Sequence, residues 1–271
     1  MSWTGTMSRA CLLYGVFFAT LSVLPSQSGL VLPTGQSLSR QSEPEPKFEQ
    51  SEYRGRSHRH HHGGTNGSTD FKYLVFSQQT SGGFCRASKQ CFKDHIRPFW
   101  TIHGMWPSNG GNSPVFCDRE AFKPSLVADI RDNLEQYWPS MSANNQKFWS
   151  HEWTKHGTCA RELQPLSGQH SYFSTTLKLG AQWNLTRYLE QAAIRPNDGQ
   201  PYKVADVKNA INSSLRKNAN FVCKRAHGLE YPFLVEVRIC ISKQLSVIDC
   251  PDTANSCGQA NILYLKYAAA A

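Results

Sequence analysis

The sequence predicts an α+β domain stabilised by disulfides, and three observations point that way. Segments with helical spacing of apolar residues are interleaved with short β-branched and aromatic runs that need not pair in parallel. Of nine cysteines, Cys11 falls in an apolar leader, which leaves eight; an even number in an exported domain reads as a disulfide framework. At 271 residues the chain has room for one large domain of roughly 200 residues plus extensions.

Residues 71–79 read as the first strand. Residues 99–107, Phe-Trp-Thr-Ile-His-Gly-Met-Trp-Pro, form a β-branched and aromatic run with His103 near the end of a strand, then a glycine break and Trp106-Pro107. Across 123–138, Leu126, Val127, Ile130, Leu134, Tyr137 and Trp138 mark an amphipathic helix that Pro139 stops. A polar loop over 140–147 precedes a helix carrying residues 151–159. Helical spacing returns over 172–193, through Phe173, Leu177, Leu179, Trp183, Leu185, Tyr188 and Leu189, and again over 204–215. Residues 231–241 and 245–248 alternate as strands, 262–267 is the last, and an alanine tail, 268–271, frays.

Ahead of this domain, placed at 70–267, residues 1–28 look like a secretory signal: Arg9 precedes an apolar run over 10–24, broken by Pro25 and followed by small residues. That run is shorter than the ~20 residues a spanning helix needs, and no later segment is apolar enough to span either, so a soluble, exported product is expected. Residues 29–69 are polar and aperiodic and read as a disordered linker or propeptide. Four histidines between His58 and His62 offer weak transition-metal binding as an alternative use of that stretch. A formal charge of +9 and a pI near 9.1 favour an anionic partner, although basicity also serves solubility alone.

Residues 151–159, His-Glu-Trp-Thr-Lys-His-Gly-Thr-Cys, concentrate the chemistry. On an ideal α-helix His151 sits one turn from Lys155, and Glu152 one turn from His156, so four polar heads share a face. Burying such groups beside Phe148, Trp149 and Trp153 is costly unless they are paired, which favours a site over structure; the alternative is an exposed polar face that holds two histidines. Zinc proteases place two histidines four apart. His151 and His156 are five apart, about 140° round an α-helix, with Lys155 between them to repel a cation. On that spacing no metal is expected, and the cluster suits an anion.

Two segments, 101–109 (Thr-Ile-His-Gly-Met-Trp-Pro-Ser-Asn) and 148–159 (Phe-Trp-Ser-His-Glu-Trp-Thr-Lys-His-Gly-Thr-Cys), resemble the active-site segments of the ribonuclease T2 family, in its plant secreted and self-incompatibility branch. Met105 stands where the family usually has Leu, a volume-conserving change. The similarity extends from about Phe71 to Tyr267. It implies a central, mainly antiparallel sheet flanked by helices, and a monomeric, cofactor-free secreted endoribonuclease. The implied reaction cleaves single-stranded RNA by metal-independent transphosphorylation to 2′,3′-cyclic and then 3′-phosphate ends. His156 would be the base, His103 the acid, His151 a phosphate ligand and Lys155 the counter-charge; Glu152 would orient a neighbour or share a proton with the phosphoryl oxygen. Trp106 and Phe148 would stack on bases, with a core role equally open for Phe148. Gln78 and Gln79 would bind the second base or face solvent; the family continues Trp-Pro here, whereas this chain has Thr80-Ser81.

The resemblance also implies the bridges Cys85–Cys91, Cys117–Cys159, Cys223–Cys257 and Cys240–Cys250. A further bridge frequent in relatives has lost both ends together, at Phe92 and in the cysteine-free run 138–150. Glycosylation acceptors fall at Asn66, Asn184 and Asn212, the last two on predicted helices. Family members that lost catalysis make an RNA-binding or storage protein the alternative from another class, and a self-incompatibility role competes with S-like RNA turnover or defence. His103, Glu152, Lys155 and His156 are all present, which favours an active enzyme. The expected location is extracellular, with the vacuole or another endomembrane lumen as the variant.

Overall fold

A computed structural model describes residues 69–266 apart from 89 and 252–254. The expected leader, the histidine-bearing linker up to residue 68 with its sequon at Asn66, Tyr267 and the alanine tail lie outside the described residues.

The chain runs β1 (Tyr73–Gln79), α1 (Ser81–Ala87), β2 (Thr101–Ser108), a 3-10 stretch (Pro124–Ile130) leading into α2 (Arg131–Tyr137), and α3 (Asn145–Glu152). A π-helical turn (Trp153–Gly157) then passes into the short α4 (Thr158–Ala160). After it come α5 (Gln169–Gln182), α6 (Leu185–Gln191), β3 (Tyr202–Lys203), α7 (Val204–Leu215), β4 (Asn220–Lys224), β5 (Phe233–Ile241), β6 (Val247–Ile248) and β7 (Asn261–Ile262). The main sheet has the order β2-β1-β5-β4, with β6 continuing along β5, and every one of these pairs is antiparallel. β3 and β7 form a second small ladder. The α+β class and its central antiparallel sheet are therefore the observed architecture.

Several element boundaries differ from the apolar spacing. The helix expected over 123–138 is broken, because Val127 leaves helical torsions (φ −126°, ψ 18°) as it enters the core. The helix expected over 172–193 starts earlier and divides at Asn184, whose side chain accepts from the Arg187 amide at 3.0 Å and begins a new helix. Leu245 has φ +60° and belongs to a hairpin turn, so only Val247–Ile248 pairs there. β4 and α1 carry too few apolar repeats to be visible in advance. α1 occupies the Thr80-Ser81 departure: the Thr80 amide donates to the Val235 carbonyl, and Ser81 Oγ accepts from the Arg97 amide.

The core between sheet and helices is unusually aromatic. Trp138 packs on Phe173 at 5.1 Å and Trp153 on Tyr172 at 5.8 Å, all four buried. Burying Trp and Tyr requires partners for their polar tips. Trp138 Nε1 donates to the His103 carbonyl and the Tyr172 hydroxyl to the Met105 carbonyl, each at 2.8 Å. β2 is the sheet edge, so these two donors close backbone positions on either side of Gly104 and fix the strand that carries His103.

Four disulfides join Cys85 to Cys91, Cys117 to Cys159, Cys223 to Cys257 and Cys240 to Cys250. Where the further bridge is missing, hydrogen bonds connect the same two segments. The Phe92 amide donates to the Met141 carbonyl at 2.9 Å, and the His95 ring bonds the Ser140 carbonyl.

Candidate active site

His103, the third residue of β2, is the extra residue of a β-bulge. Ser77 faces Gly104 while Gln78 faces Ile102, which leaves His103 without a partner on β1. Residues three apart on a regular strand point to opposite faces. The bulge shifts that phase, so His103 and Trp106 meet on one face, edge to face at 5.0 Å. Gly104 between them must lack a side chain: a Cβ there would lie 2.2 Å from both Glu152 Oε2 and Trp106 Nε1.

The second motif begins as α3, capped by Asn144, whose side chain accepts from the Gln146 and Lys147 amides. It then widens into the π turn. Thr154 takes the Ser150 carbonyl with its hydroxyl at 2.8 Å, and the Phe116 amide donates from outside to the Lys155 carbonyl at 2.9 Å; both compete with the α-helical ladder. Gly157 lets Trp153 fold across the wide turn, since a Cβ would approach its ring to 2.4 Å. With π-type i→i+5 bonding, residues five apart stack. This corrects the α-helical separation of His151 and His156: their rings are 6.4 Å apart, and one donor atom each from His151, Glu152 and His156 lie within 4.8 Å of one another. By donor type that trio fits a transition metal, with Lys155 next to it opposing a cation.

The two motifs converge on Trp106. Its indole is 5.4 Å from the His156 ring, and its Nε1 donates to buried Glu152. From β5, the Arg238 guanidinium lies over the same indole at 5.4 Å. Glu236, in register with Gln79, bonds His103 Nδ1 through Oε1 and accepts from Arg238 through Oε2. Neither Glu236 nor Arg238 figured among the sequence candidates. Their signal was legible, though: two charges two apart in the otherwise apolar run Phe-Leu-Val-Glu-Val-Arg-Ile-Cys-Ile share one face of a buried strand.

The surroundings drive the two imidazoles in opposite directions. Burial works against a charged His103, but the Glu236 carboxylate, its hydrogen bond and Glu152 outweigh burial and Arg238, and raise His103 above the usual histidine value. Burial, then Lys155, His151 and His103, hold His156 well below it. His156 Nδ1 is buried and has no hydrogen-bond partner among the described residues, in contrast with the carboxylate on His103 Nδ1. Burial raises Glu152 to about 7, against the pull of His103, the Trp106 donor and Lys155. Glu236 falls to about 2: burial opposes this, but His103 and Arg238 prevail.

Other candidates are placed less directly. Phe148 is 6% exposed and stacks on His103 at 6.2 Å, so it is core and wall of the site at once. Gln78 and Gln79 are both buried, which removes a solvent-facing role, and the Gln78 amide is taken up by the Trp183 carbonyl at 2.8 Å. Asn184 is an exposed helix cap rather than a mid-helix residue. Asn212 uses both side-chain atoms internally, on Asn218 and on the Ala219 amide.

Two imidazoles biased in opposite directions beside buried Lys155 form an arrangement able to carry general acid–base chemistry on an anionic substrate. The family model for the Ribonuclease T2 family matches residues 71–250. Ribonuclease DdI of Dictyostelium discoideum is 37% identical over 185 residues, 68% of this chain and 79% of its own length. Extracellular ribonuclease LE of Solanum lycopersicum is 34% identical over 195 residues, covering 69% and 83%. Among solved structures, RNase NT in complex with 5′-AMP aligns at a TM-score of 0.64 and 28% identity, over 73% of this chain and 99% of that one. The chain belongs to the ribonuclease T2 family and is an endoribonuclease of that type. Similar identities to an amoebal and a plant enzyme do not favour the plant branch.

Proposed function

We propose that the domain at 70–267 is exported by the leader at 1–28 and cleaves single-stranded RNA by transphosphorylation without a metal. The observation that carries this reading is the opposed pair, His103 raised and His156 lowered, both packed against Trp106. RNA brings its own nucleophile, the 2′-hydroxyl, already held beside the phosphorus. Neutral His156 takes the 2′-proton as O2′ bonds to phosphorus, and protonated His103 delivers its proton to the departing 5′-oxygen. The products are a 2′,3′-cyclic phosphate and a 5′-hydroxyl, with the protonation states of the two rings exchanged. Water then opens the ring to a 3′-phosphate as the histidines reverse roles. Lys155 and His151 hold the phosphate, and Lys155 offsets the charge growing on its oxygens. Glu152, poised near pH 7, orients Trp106 and shares a proton with a phosphoryl oxygen. Trp106 supplies a base-stacking face, Phe148 its wall, and Gln79 a buried amide beside Glu236. Binding of 5′-AMP by the neighbour RNase NT supports a nucleotide-sized anionic ligand. The eight paired cysteines support an oxidising, exported location, and the proposed role there is S-like RNA turnover or defence.

A defined RNA carrying one 2′-O-methyl nucleotide tests the chemistry. Cleavage in excess EDTA is expected everywhere except on the 3′ side of that nucleotide, leaving cyclic phosphate ends. Magnesium dependence, or cutting at the blocked position, would refute the reading.

A further inference from the structure

We propose that Glu236 is the positioning residue for His103: it binds Nδ1 so that the opposite ring nitrogen, Nε2, faces the scissile bond, while Arg238 fixes the carboxylate. The assignment of His103 as acid rests on the function proposed above; the coupling to Glu236 does not. Both Glu236 oxygens are occupied, Oε1 by His103 and Oε2 by Arg238 Nε at 3.0 Å and Nη2 at 2.8 Å, and its side chain is only 6% exposed. A carboxylate so buried and so bonded has one orientation available. The His103 ring is flanked as well, with Phe148 stacked at 6.2 Å and Trp106 edge to face at 5.0 Å. With Nδ1 held by a carboxylate, the proton stays on Nδ1 and the tautomer of the neutral ring is set.

Arg238 extends the arrangement into a closed circuit. It clamps Glu236, covers Trp106 at 5.4 Å, Trp106 holds Glu152 at 2.9 Å, and Glu152 acts electrostatically on His103. The charged groups facing His103 are therefore Glu236 and Arg238 from β5, Glu152 from α3, and His156 from the π turn. Only the two carboxylates favour the imidazolium; burial and Arg238 oppose it. Removing Glu236 leaves a half-buried imidazole beside an unneutralised guanidinium, and the protonated acid becomes scarce at neutral pH. Removing Arg238 instead takes away a cation, so its effect on His103 has the opposite sign. Collapse of the strand would not produce opposite signs from two residues on the same face.

The test titrates the imidazoles of the full chain by NMR and measures kcat/KM against pH for wild type, Glu236→Gln, Glu236→Asp and Arg238→Gln. In Glu236→Gln the His103 midpoint and the alkaline limb should fall together by about one pH unit or more, and RNA turnover should drop ~10²-fold, the scale of general acid catalysis. Arg238→Gln should raise the midpoint, and a fall like that in Glu236→Gln would point to collapse of the strand and overturn the proposal. An RNA analogue with an aryl leaving group, which needs no acid, should restore most of the lost rate in Glu236→Gln. An unmoved His103 midpoint in folded Glu236→Gln, or equal losses on both substrates, would overturn the proposal. If the Gln variant does not fold, Glu236→Asp decides: wild-type turnover from that shortened carboxylate would overturn it, and reduced turnover with a still-raised midpoint would support it. A wild-type protein that shows the titration coupling but does not cut RNA would refute the ribonuclease mechanism and leave the pairing standing.

Discussion

The Trp106 indole N–H donates to Glu152 Oε2 at 2.9 Å, across 46 residues of sequence, and this bond joins the two histidine-bearing motifs. Glu152 is 1% exposed, and burial has raised its carboxyl to about 7, so the bond supports a charge the site can barely keep. Trp106→Phe keeps a ring and deletes the donor. Because the folded carboxyl titrates above the ordinary glutamate value of 4.5, the charged form costs stability once pH rises towards 7. The variant should lose about 1–3 kcal/mol, with the larger loss at pH 8 than at pH 5. Urea denaturation at the two pH values reads the difference.

His103→Ala and His156→Ala should each lower turnover by ~10²–10⁴ with the fold intact. His151→Ala should act mainly on KM. Steady-state kinetics on a dinucleotide, with circular dichroism as the folding control, distinguishes the two classes, and near-normal turnover in either of the first two would remove its assignment.

The pH profile follows from the order of the two imidazoles. His156, held low, is neutral and competent as a base above its own titration; His103, held high, remains a protonated acid past the usual histidine range. Both competent forms coexist between them, so kcat/KM should form a plateau across mildly acidic to neutral pH. It should fall on the acid side as His156 gains a proton and on the alkaline side as His103 loses one. A rate climbing steadily to pH 9 would contradict this order.

Gly104→Ala should harm activity far more than its size suggests. The new methyl would need the space of Glu152 Oε2 and Trp106 Nε1, both 2.2 Å away. Turnover should fall at least ~10-fold as the indole–carboxylate bond is displaced, a loss visible in kinetics and in a lowered Tm.

Cys117→Ser combined with Cys159→Ser should cost ~2–5 kcal/mol, the range for native bridges. The bridge spans 42 residues and anchors the chain next to Phe116, whose amide binds the Lys155 carbonyl. Loss of activity should therefore begin below the unfolding temperature, as the π turn loosens. Thermal scans alongside activity at each temperature measure the interval.

The candidate site was legible because it resides in residue types at close spacing. Two imidazoles, an ammonium and a carboxylate within six residues identify themselves, as do His103 and Trp106 around a glycine. The helix at Val204–Leu215 was readable to the residue because its apolar period is uninterrupted. The helix over 123–138 was not, because the inward turn of Val127 depends on a core that only the assembled fold provides.

By itself the sequence determined the α+β class and which titratable side chains make up the candidate site, since burial patterns and side-chain chemistry are properties of short segments. Tertiary structure decided how those groups face one another. The π turn exists because Thr154 and the Phe116 amide compete for helix carbonyls, and the Phe116 amide arrives from a segment nearly forty residues upstream. The phase of His103 depends on a bulge against β1, and its charge on Glu236, 133 residues away. Hydrogen-bond competition and electrostatic pairing act through space, so chain spacing alone gave His151 and His156 an α-helical separation and gave His103 no partner.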